Sequence, residues 1–174
     1  MFDAFAEDLL AERGARPLII IGASKIDHLL REMLRQYLLP KKARPNEQDE
    51  LLEGDTPLGT FSARIKMCRR LGLIDGNLCQ ALDRLRVLRN FSAHEVLFDH
   101  GKSPVKEHLA EFKSQIVTRG SYGLTKKRYF ESTSLKTIEE LQCLLLTLCV
   151  LLEATRETVE ATAGNKKALK ISAR

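Results

Sequence analysis

The most constraining feature of this sequence is an apolar repeat at helical spacing that recurs along most of the chain. Between residues 15 and 39, large apolar side chains fill every position of an i, i+3, i+4, i+7, i+8, i+11 pattern: Ile26, Leu29, Leu30, Met33, Leu34 and Tyr37. Such a pattern lays one apolar stripe along a helix, and the stripe must be buried against other elements. The chain is therefore predicted to be all-α, a bundle of about five to six helices without a sizeable sheet.

Capping residues and helix breakers indicate where the first helices begin and end. A short first helix is expected to stop near Gly14, and a second helix is expected to cover residues 15–39. Thr56 with Pro57 is predicted to start the third helix, because proline is tolerated at the first helical position. Gly72 is predicted to end that helix in a left-handed conformation.

The same signals indicate a fourth and a fifth helix. Asp75 is predicted to cap the fourth helix, and Ser103-Pro104 to start a shorter fifth helix that reaches about Phe112. The fourth helix carries one continuous stripe of small and apolar residues: Leu78, Ala81, Leu82, Leu85, Leu88 and Ser92.

The last third of the chain combines an irregular stretch with the most apolar helix. Residues 114–134 show no clear period and are predicted to be a loop, with a short strand around Tyr129 as an option. Ser134 is predicted to cap a last helix over residues 135–163. Its section 141–152 is apolar nearly all round, so this helix is predicted to be the most buried element.

Length and charge indicate one domain with a basic end. The chain has 174 residues, of which 44% are hydrophobic, and residues 1–163 are predicted to form a single domain. Residues 164–174 are predicted to be a flexible basic tail. The net charge of +5 is mild, so charge alone does not predict nucleic-acid binding. Further basic clusters lie at Lys41-Lys42 with Arg44 and at residues 126–128.

Cysteine and histidine spacing gives no indication of a metal site or a cofactor. The four cysteines stand singly in apolar helical pattern, and His100 and His108 have no partners at ligand spacing. The first ten residues carry acids where a secretory leader needs cations, and the apolar run 144–152 is too short to span a bilayer. We therefore expect a cytoplasmic protein without metal, cofactor or membrane contact.

One long block resembles a known family. The segment EGDTPLGTFSARIK at residues 53–66, followed by LGLI at 71–74, resembles the MltR family, named for the mannitol operon repressor. The resemblance extends roughly from residue 15 to residue 98. It implies a helical protein of the broad HEPN-like group that acts as a transcriptional regulator without a helix-turn-helix.

A second motif lies at the end of the fourth helix. Arg89-Asn90 followed by His94 resembles the R-x4–6-H signature of HEPN-type endoribonucleases, which cleave RNA without metal. In such a site His94 would take a proton from a ribose 2′-hydroxyl, Arg89 would hold the phosphate, and Asn90 would orient either group. The resemblance implies that motifs from two protomers meet, so an active enzyme requires a symmetric dimer.

An ordinary helix end explains the same residues. Five residues amount to about 7.5 Å of rise and about 140° of rotation, so Arg89 and His94 do not stack on one helical face. His94 could simply meet the negative end of the helix dipole. Arg89 could pair with Asp83 or Glu95. The motif is therefore a candidate catalytic site only.

Other candidate sites rest on charge. Arg64 and Lys66 on the third helix, and Lys126, Lys127 and Arg128 further along, are weak candidates for binding phosphate or nucleic acid. Asp27 and His28 lie off the apolar stripe of the second helix and are predicted to be an exposed pair.

Three functions remain open at this point. The first is an MltR-like regulator that acts as a homodimer through RNA, DNA, a partner regulatory protein or an antitoxin. The second is a metal-independent endoribonuclease of a toxin or defence kind that uses Arg89, Asn90 and His94. The third is a structural oligomer module.

Overall fold

The computed structural model of this protein describes residues 2–38, 49–95, 98–130 and 134–163. Over these ranges the chain forms seven α-helices and no strand, which confirms the all-α fold class. The helices are α1 (Phe2–Ala11), α2 (Ala15–Tyr37), α3 (Phe61–Arg70), α4 (Gly76–His94), α5 (Val105–Ser114), α6 (Gly120–Tyr129) and α7 (Thr137–Ala163).

Helices α2 and α7 form the centre of the bundle and pack against each other more extensively than any other described pair. The predicted stripe of α2 is buried from Ile26 to Leu34, and residues 141–149 of α7 are all buried. The predicted burial of the apolar section of α7 is thus confirmed over residues 141–149, and α2 is buried to a similar extent. Around this pair, α1 and α6 contact α7, α3 and α4 contact α2, and α5 packs on α4.

Helix α4 begins and packs as the sequence indicates. The carboxylate of Asp75 accepts a hydrogen bond from the backbone N–H of Leu78 at 2.7 Å, which caps the first turn. All six residues of the predicted stripe are buried, and Gly72 just before the helix has a φ of 72°. Helix α4 packs against α2, α3 and α5.

Helix α3 begins later than predicted. Its N-cap is Thr60, whose hydroxyl accepts from the backbone N–H of Ala63 at 3.2 Å, and the expected start at Thr56 is wrong. Thr56 lies instead in a compact turn, where its hydroxyl donates to the carbonyl of Leu51 at 2.8 Å. Threonine followed by proline starts turns as readily as helices, so the local signal was ambiguous.

Helix α6 replaces the predicted loop, and the optional strand at Tyr129 is wrong. Its sequence contains two glycines and only one buried residue, Thr125. Such a segment has no apolar stripe and little intrinsic helicity, so its contact with α7 must supply the stability. This extra helix explains why seven helices occur where five to six were expected.

Some predictions lie outside the described residues. They concern the basic tail 164–174 and the cluster of Lys41, Lys42 and Arg44. Among the described residues, none of the helices combines the length and the apolar character that a membrane span requires.

Candidate functional site

The last turns of α4 present the predicted site residues to solvent. Arg89, Asn90 and His94 are all exposed, as is Ala93 between them. We call the surface formed by these four residues the α4 end. Over the part of the chain that the structure describes, the side chains of Arg89, Asn90 and His94 form no hydrogen bond or ion pair with the protein. Among the described residues, Arg89 forms neither suggested ion pair, with Asp83 or with Glu95, and Asp83 accepts from Arg86 at 3.3 Å.

The α4 end is one broad face rather than a converging pair. Helix α4 continues without a break to His94, so Arg89 and His94 remain about 7.5 Å apart along the axis and about 140° apart around it. Ala93 lies about 40° and Asn90 about 100° from Arg89, between the two ends of the face. Within one protomer the Arg89 guanidinium and the His94 imidazole therefore lie at opposite edges of this face. The small side chain of Ala93 and the polar side chain of Asn90 lie between them.

Arg16 adds a second guanidinium near this surface. Its Nε donates to the backbone carbonyl of Ser92 at 2.6 Å. That carbonyl belongs to the last turn of α4, where no later helical N–H is available to it, and a positive charge there is favourable for the helix dipole. Sequence reasoning missed Arg16, because 76 residues separate it from Ser92 and no local pattern links them.

A pocket of about 610 Å³ lies beside the α4 end. It is lined by aromatic, acidic and other side chains from the end of α4 and the segment before α5: Phe91, Glu95, Phe98, Asp99, Lys102, Ser103, Pro104 and Val105. The carboxylate of Asp99 accepts from the backbone N–H of Gly101, which lowers its pKa and keeps it ionised. The surroundings of the α4 end therefore carry charges of both signs and are not uniformly basic.

Arg64, predicted as a phosphate-binding residue, lies inside the protein. Its side chain is 9% exposed, and its guanidinium donates to Asp27 at 2.7 Å, to the Leu52 carbonyl at 2.9 Å and to the Gly59 carbonyl at 3.0 Å. These contacts join α3, α2 and the turns of residues 49–59. Lys66 is exposed on another side of α3, so the two candidates do not form one site.

The GDTPLG segment at residues 54–59 is a compact structural loop held by Arg64. A Cβ at Gly59 would lie 2.1 Å from the backbone oxygen of Gly54, so only glycine fits there. Packing alone therefore accounts for part of the block at residues 53–66 that resembles the MltR family.

The expectation that Asp27 and His28 form an exposed pair is wrong for Asp27, which is half-buried against Arg64, whereas His28 is exposed.

The basic residues at 126–128 lie on α6, a different helix from that of Arg64 and Lys66. Lys127 and Arg128 are exposed and Lys126 is half-buried, and α6 packs on α7. Arg128 forms a surface ion pair with Asp3 at 3.6 Å. By contrast Lys66 shares an exposed face of α3 with Arg69 and Arg70, at positions i, i+3 and i+4.

The cysteines have the environment of core residues. Burial raises the pKa of Cys68 and Cys149 to about 12 and that of Cys143 to about 11. These thiols are thus protonated at neutral pH and are poor nucleophiles. Among the described residues, no group of three or more histidine, cysteine or acidic side chains could hold a metal ion.

Comparison with known proteins shows a shared fold. No protein-family model and no curated protein matches the chain. Among solved structures, a possible transcriptional regulator, YggD from Shigella flexneri 2a strain 2457T, matches with a TM-score of 0.60 and 13% identity, over 91% of this chain and 96% of the other. A chain of the MtlR–HPr complex from Escherichia coli matches with a TM-score of 0.60 and 18% identity, over 89% and 98%. At these identities the likeness shows that this chain has the same all-helical fold as both proteins.

Proposed function

We propose that this chain is an MltR-like regulatory protein that acts by binding a partner protein through the α4 end. The sequence block at residues 53–66 supports the family, and the shared fold with a possible transcriptional regulator and with the MtlR–HPr complex supports the role. Both likenesses extend over nearly the whole length of each protein. A HEPN-like relationship is part of the same proposal and rests on the sequence resemblance.

The observation that carries the proposal is the exposed and unpaired state of the α4 end. Arg89, Asn90 and His94 offer donors and a positive charge that no described side chain uses. Beside them lie the aromatic ring of Phe91 and the carboxylate of Glu95. Arginine beside aromatic and mixed polar groups is typical of protein–protein contact surfaces.

Mixed charge favours a protein over a nucleic acid at this surface. Glu95 and Asp99 would repel the phosphates that Arg89 and Arg16 would attract. Helix α4 also offers little to a DNA groove. Its stripe is buried against the core, and its first turn, residues 76–79, contains Asn77 as its one base-reading side chain rather than a row of them.

Binding to HPr is the direct experiment, since one structural neighbour is a complex of MtlR with HPr. The purified chain would be titrated by calorimetry with the HPr protein of its own source organism. We expect saturable binding that weakens at least about fivefold in Arg89→Ala, because truncation of an arginine hot spot costs about 1 kcal/mol or more. Lys66→Ala, an exposed change on another helix, should leave the affinity unchanged.

The competing partner classes are tested in the same series. The chain would be mixed with its own promoter DNA and with unstructured RNA at two salt concentrations. Strong binding to either that weakens steeply with salt, together with no HPr binding, would contradict the proposal, because it would indicate phosphate contacts.

Endoribonuclease activity is the second candidate, favoured by the exposure of all three motif residues. Because Arg89 and His94 diverge within one protomer, the groups would have to come together across a homodimer. The enzyme hypothesis expects cleavage of unstructured RNA without metal, loss of cleavage in His94→Ala, and a dimeric mass in solution. A monomer, or cleavage that persists in His94→Ala, would exclude it.

A further inference from the structure

A small cleft between α5 and α7 has the composition of a ligand site. Its volume is about 220 Å³, and it lies on the side of the bundle where α2 begins. Leu109, Leu141 and Leu144 form its apolar walls, and Ala110, which also lines it, is exposed. Ligand pockets for drug-sized molecules are larger, roughly 300–1,000 Å³, so this cleft suits a smaller molecule.

A positive and a negative side chain both line the cleft, beside its apolar residues. The Lys113 ammonium lies 2.7 Å from a carboxylate oxygen of Glu140, and both residues line the cleft. Their side chains are 45% and 29% exposed, so the pair is worth less than about 1 kcal/mol. Each group can therefore exchange part of this contact for a ligand charge at little cost.

A neighbouring cation and anion complement a zwitterion better than a ligand of one charge. An anion would gain from Lys113 and be repelled by Glu140, and a cation would meet the reverse. A molecule with an ammonium, a carboxylate and a short aliphatic chain would satisfy both charges and cover the leucines.

We propose that this cleft binds a free aliphatic α-amino acid of about the size of leucine. The ligand ammonium donates to Glu140, the ligand carboxylate accepts from Lys113, and the aliphatic chain packs on Leu141 and Leu144. No covalent step is involved.

The position of the cleft connects it to the α4 end. Ala15 forms part of the lining, and the next residue, Arg16, holds the Ser92 carbonyl at the end of α4. A ligand in contact with Ala15 therefore touches the turn that supports the proposed partner surface. This regulatory role of the ligand rests on the proposed function, whereas its binding does not.

L-leucine is the probe for the binding test, used with the full chain by calorimetry and by amide NMR. We expect saturable binding with a dissociation constant on the order of 1 mM or tighter, given the size of the ligand. The amides of Ala15, Arg16 and Lys113 should shift. 4-Methylpentanoate lacks the ammonium, 3-methylbutylamine lacks the carboxylate and glycine lacks the aliphatic chain, so each should bind at least tenfold more weakly.

Two variants test whether leucine binds in the cleft, and a third serves as a control. Ala110→Phe places a large side chain at an exposed residue of the lining and should weaken leucine binding at least tenfold. Ala154→Phe makes the same change at an exposed position of α7 outside the cleft and should leave binding within twofold. Glu140→Gln, a second surface change, should reduce leucine binding at least fivefold but strengthen binding of 4-methylpentanoate, because the carboxylate that repels this anion is removed.

Several outcomes would overturn the amino-acid proposal. They are no saturable leucine binding up to 20 mM, equal binding of leucine and 4-methylpentanoate, or leucine affinity unchanged in both Ala110→Phe and Glu140→Gln. Because this assay uses no partner protein, it can fail while HPr binding succeeds, or succeed while HPr binding fails, so the two proposals are judged separately.

Discussion

Arg64 illustrates how one buried charge organises three parts of the fold. Its guanidinium pairs with Asp27 of α2 and binds two backbone carbonyls of the loop before α3. A buried cation is costly unless its donors have acceptors, and here Nη1 donates one hydrogen bond and Nη2 donates two, whereas the buried Nε has no acceptor among the described residues. In the sequence Arg64 looks like its exposed neighbour Lys66. The two residues lie about 200° apart around the helix, so only packing distinguishes them.

Replacing Arg64 should therefore cost far more stability than replacing Lys66. Arg64→Ala leaves the Leu52 and Gly59 carbonyls and the half-buried Asp27 carboxylate without their donor, and we expect a loss of about 3 kcal/mol. Urea unfolding followed by circular dichroism would measure it. Lys66→Ala should stay within about 0.5 kcal/mol of the parent. Similar losses in the two variants would show that the Arg64 contacts do not support the loop.

At the scale of a helix, the start of α4 combines a cap with an ion pair. Asp75 accepts from the Leu78 amide and from the Arg119 guanidinium at 2.7 Å. The Arg119 hydrogen bond is the main reason that the pKa of Asp75 lies below its usual range. Arg119 just precedes α6, so this pair ties the start of α4 to a distant segment.

The stability that Asp75 contributes should disappear in acid. Because the folded pKa is depressed, the contribution is fully present above the unfolded pKa of about 3.9 and is lost as pH falls through the folded pKa. Asp75→Asn keeps a capping side chain but removes the charge. The parent should exceed this variant by less than about 1 kcal/mol at pH 7, since the carboxylate is largely exposed.

Thermal unfolding of both proteins between pH 7 and pH 2 would measure this effect. The two stabilities should converge below pH 4. A difference that stays constant down to pH 2 would mean that the charge of Asp75 plays no part.

Helix α6 shows where element prediction failed. The stretch contains Gly120 and Gly123 and no apolar stripe, so a single-sequence pattern favours a loop. Its helix forms against α7, where Thr125 is buried. By contrast, the caps at Asp75 and Thr60 are signals that a few neighbouring residues carry. The similar signal at Thr56, however, placed the predicted start of α3 too early.

At the scale of the whole molecule, the approach of α2 to α7 sets how the bundle closes. A Cβ placed at Gly22 of α2 would lie 2.7 Å from Cδ2 of Leu145 in α7, and Leu145 is fully buried. The absence of a side chain at Gly22 therefore allows the two central helices to pack closely. Interiors are dense enough that an extra methyl here must displace its neighbour.

Two glycine-to-alanine changes would separate packing from helix propensity. Gly22→Ala gains up to about 1 kcal/mol of helix propensity but loses roughly 1–3 kcal/mol by overpacking, so we expect net destabilisation of about 1 kcal/mol. Gly123→Ala in α6 meets no atom within 4 Å and should stabilise the protein by up to about 1 kcal/mol. Chemical unfolding measures both. A Gly22→Ala variant as stable as the parent would show that Leu145 moves aside freely.

By itself, the sequence determined the all-α class, the buried stripes of α2, α4 and α7 and the cap at Asp75. These features depend on residues within a few turns of one another, and helical periodicity exposes them directly. Only the tertiary structure decided that Arg64 is buried against Asp27, that Arg16 holds the end of α4, and that residues 120–129 are helical. Those outcomes depend on contacts between segments up to 76 residues apart, and no local pattern encodes such contacts.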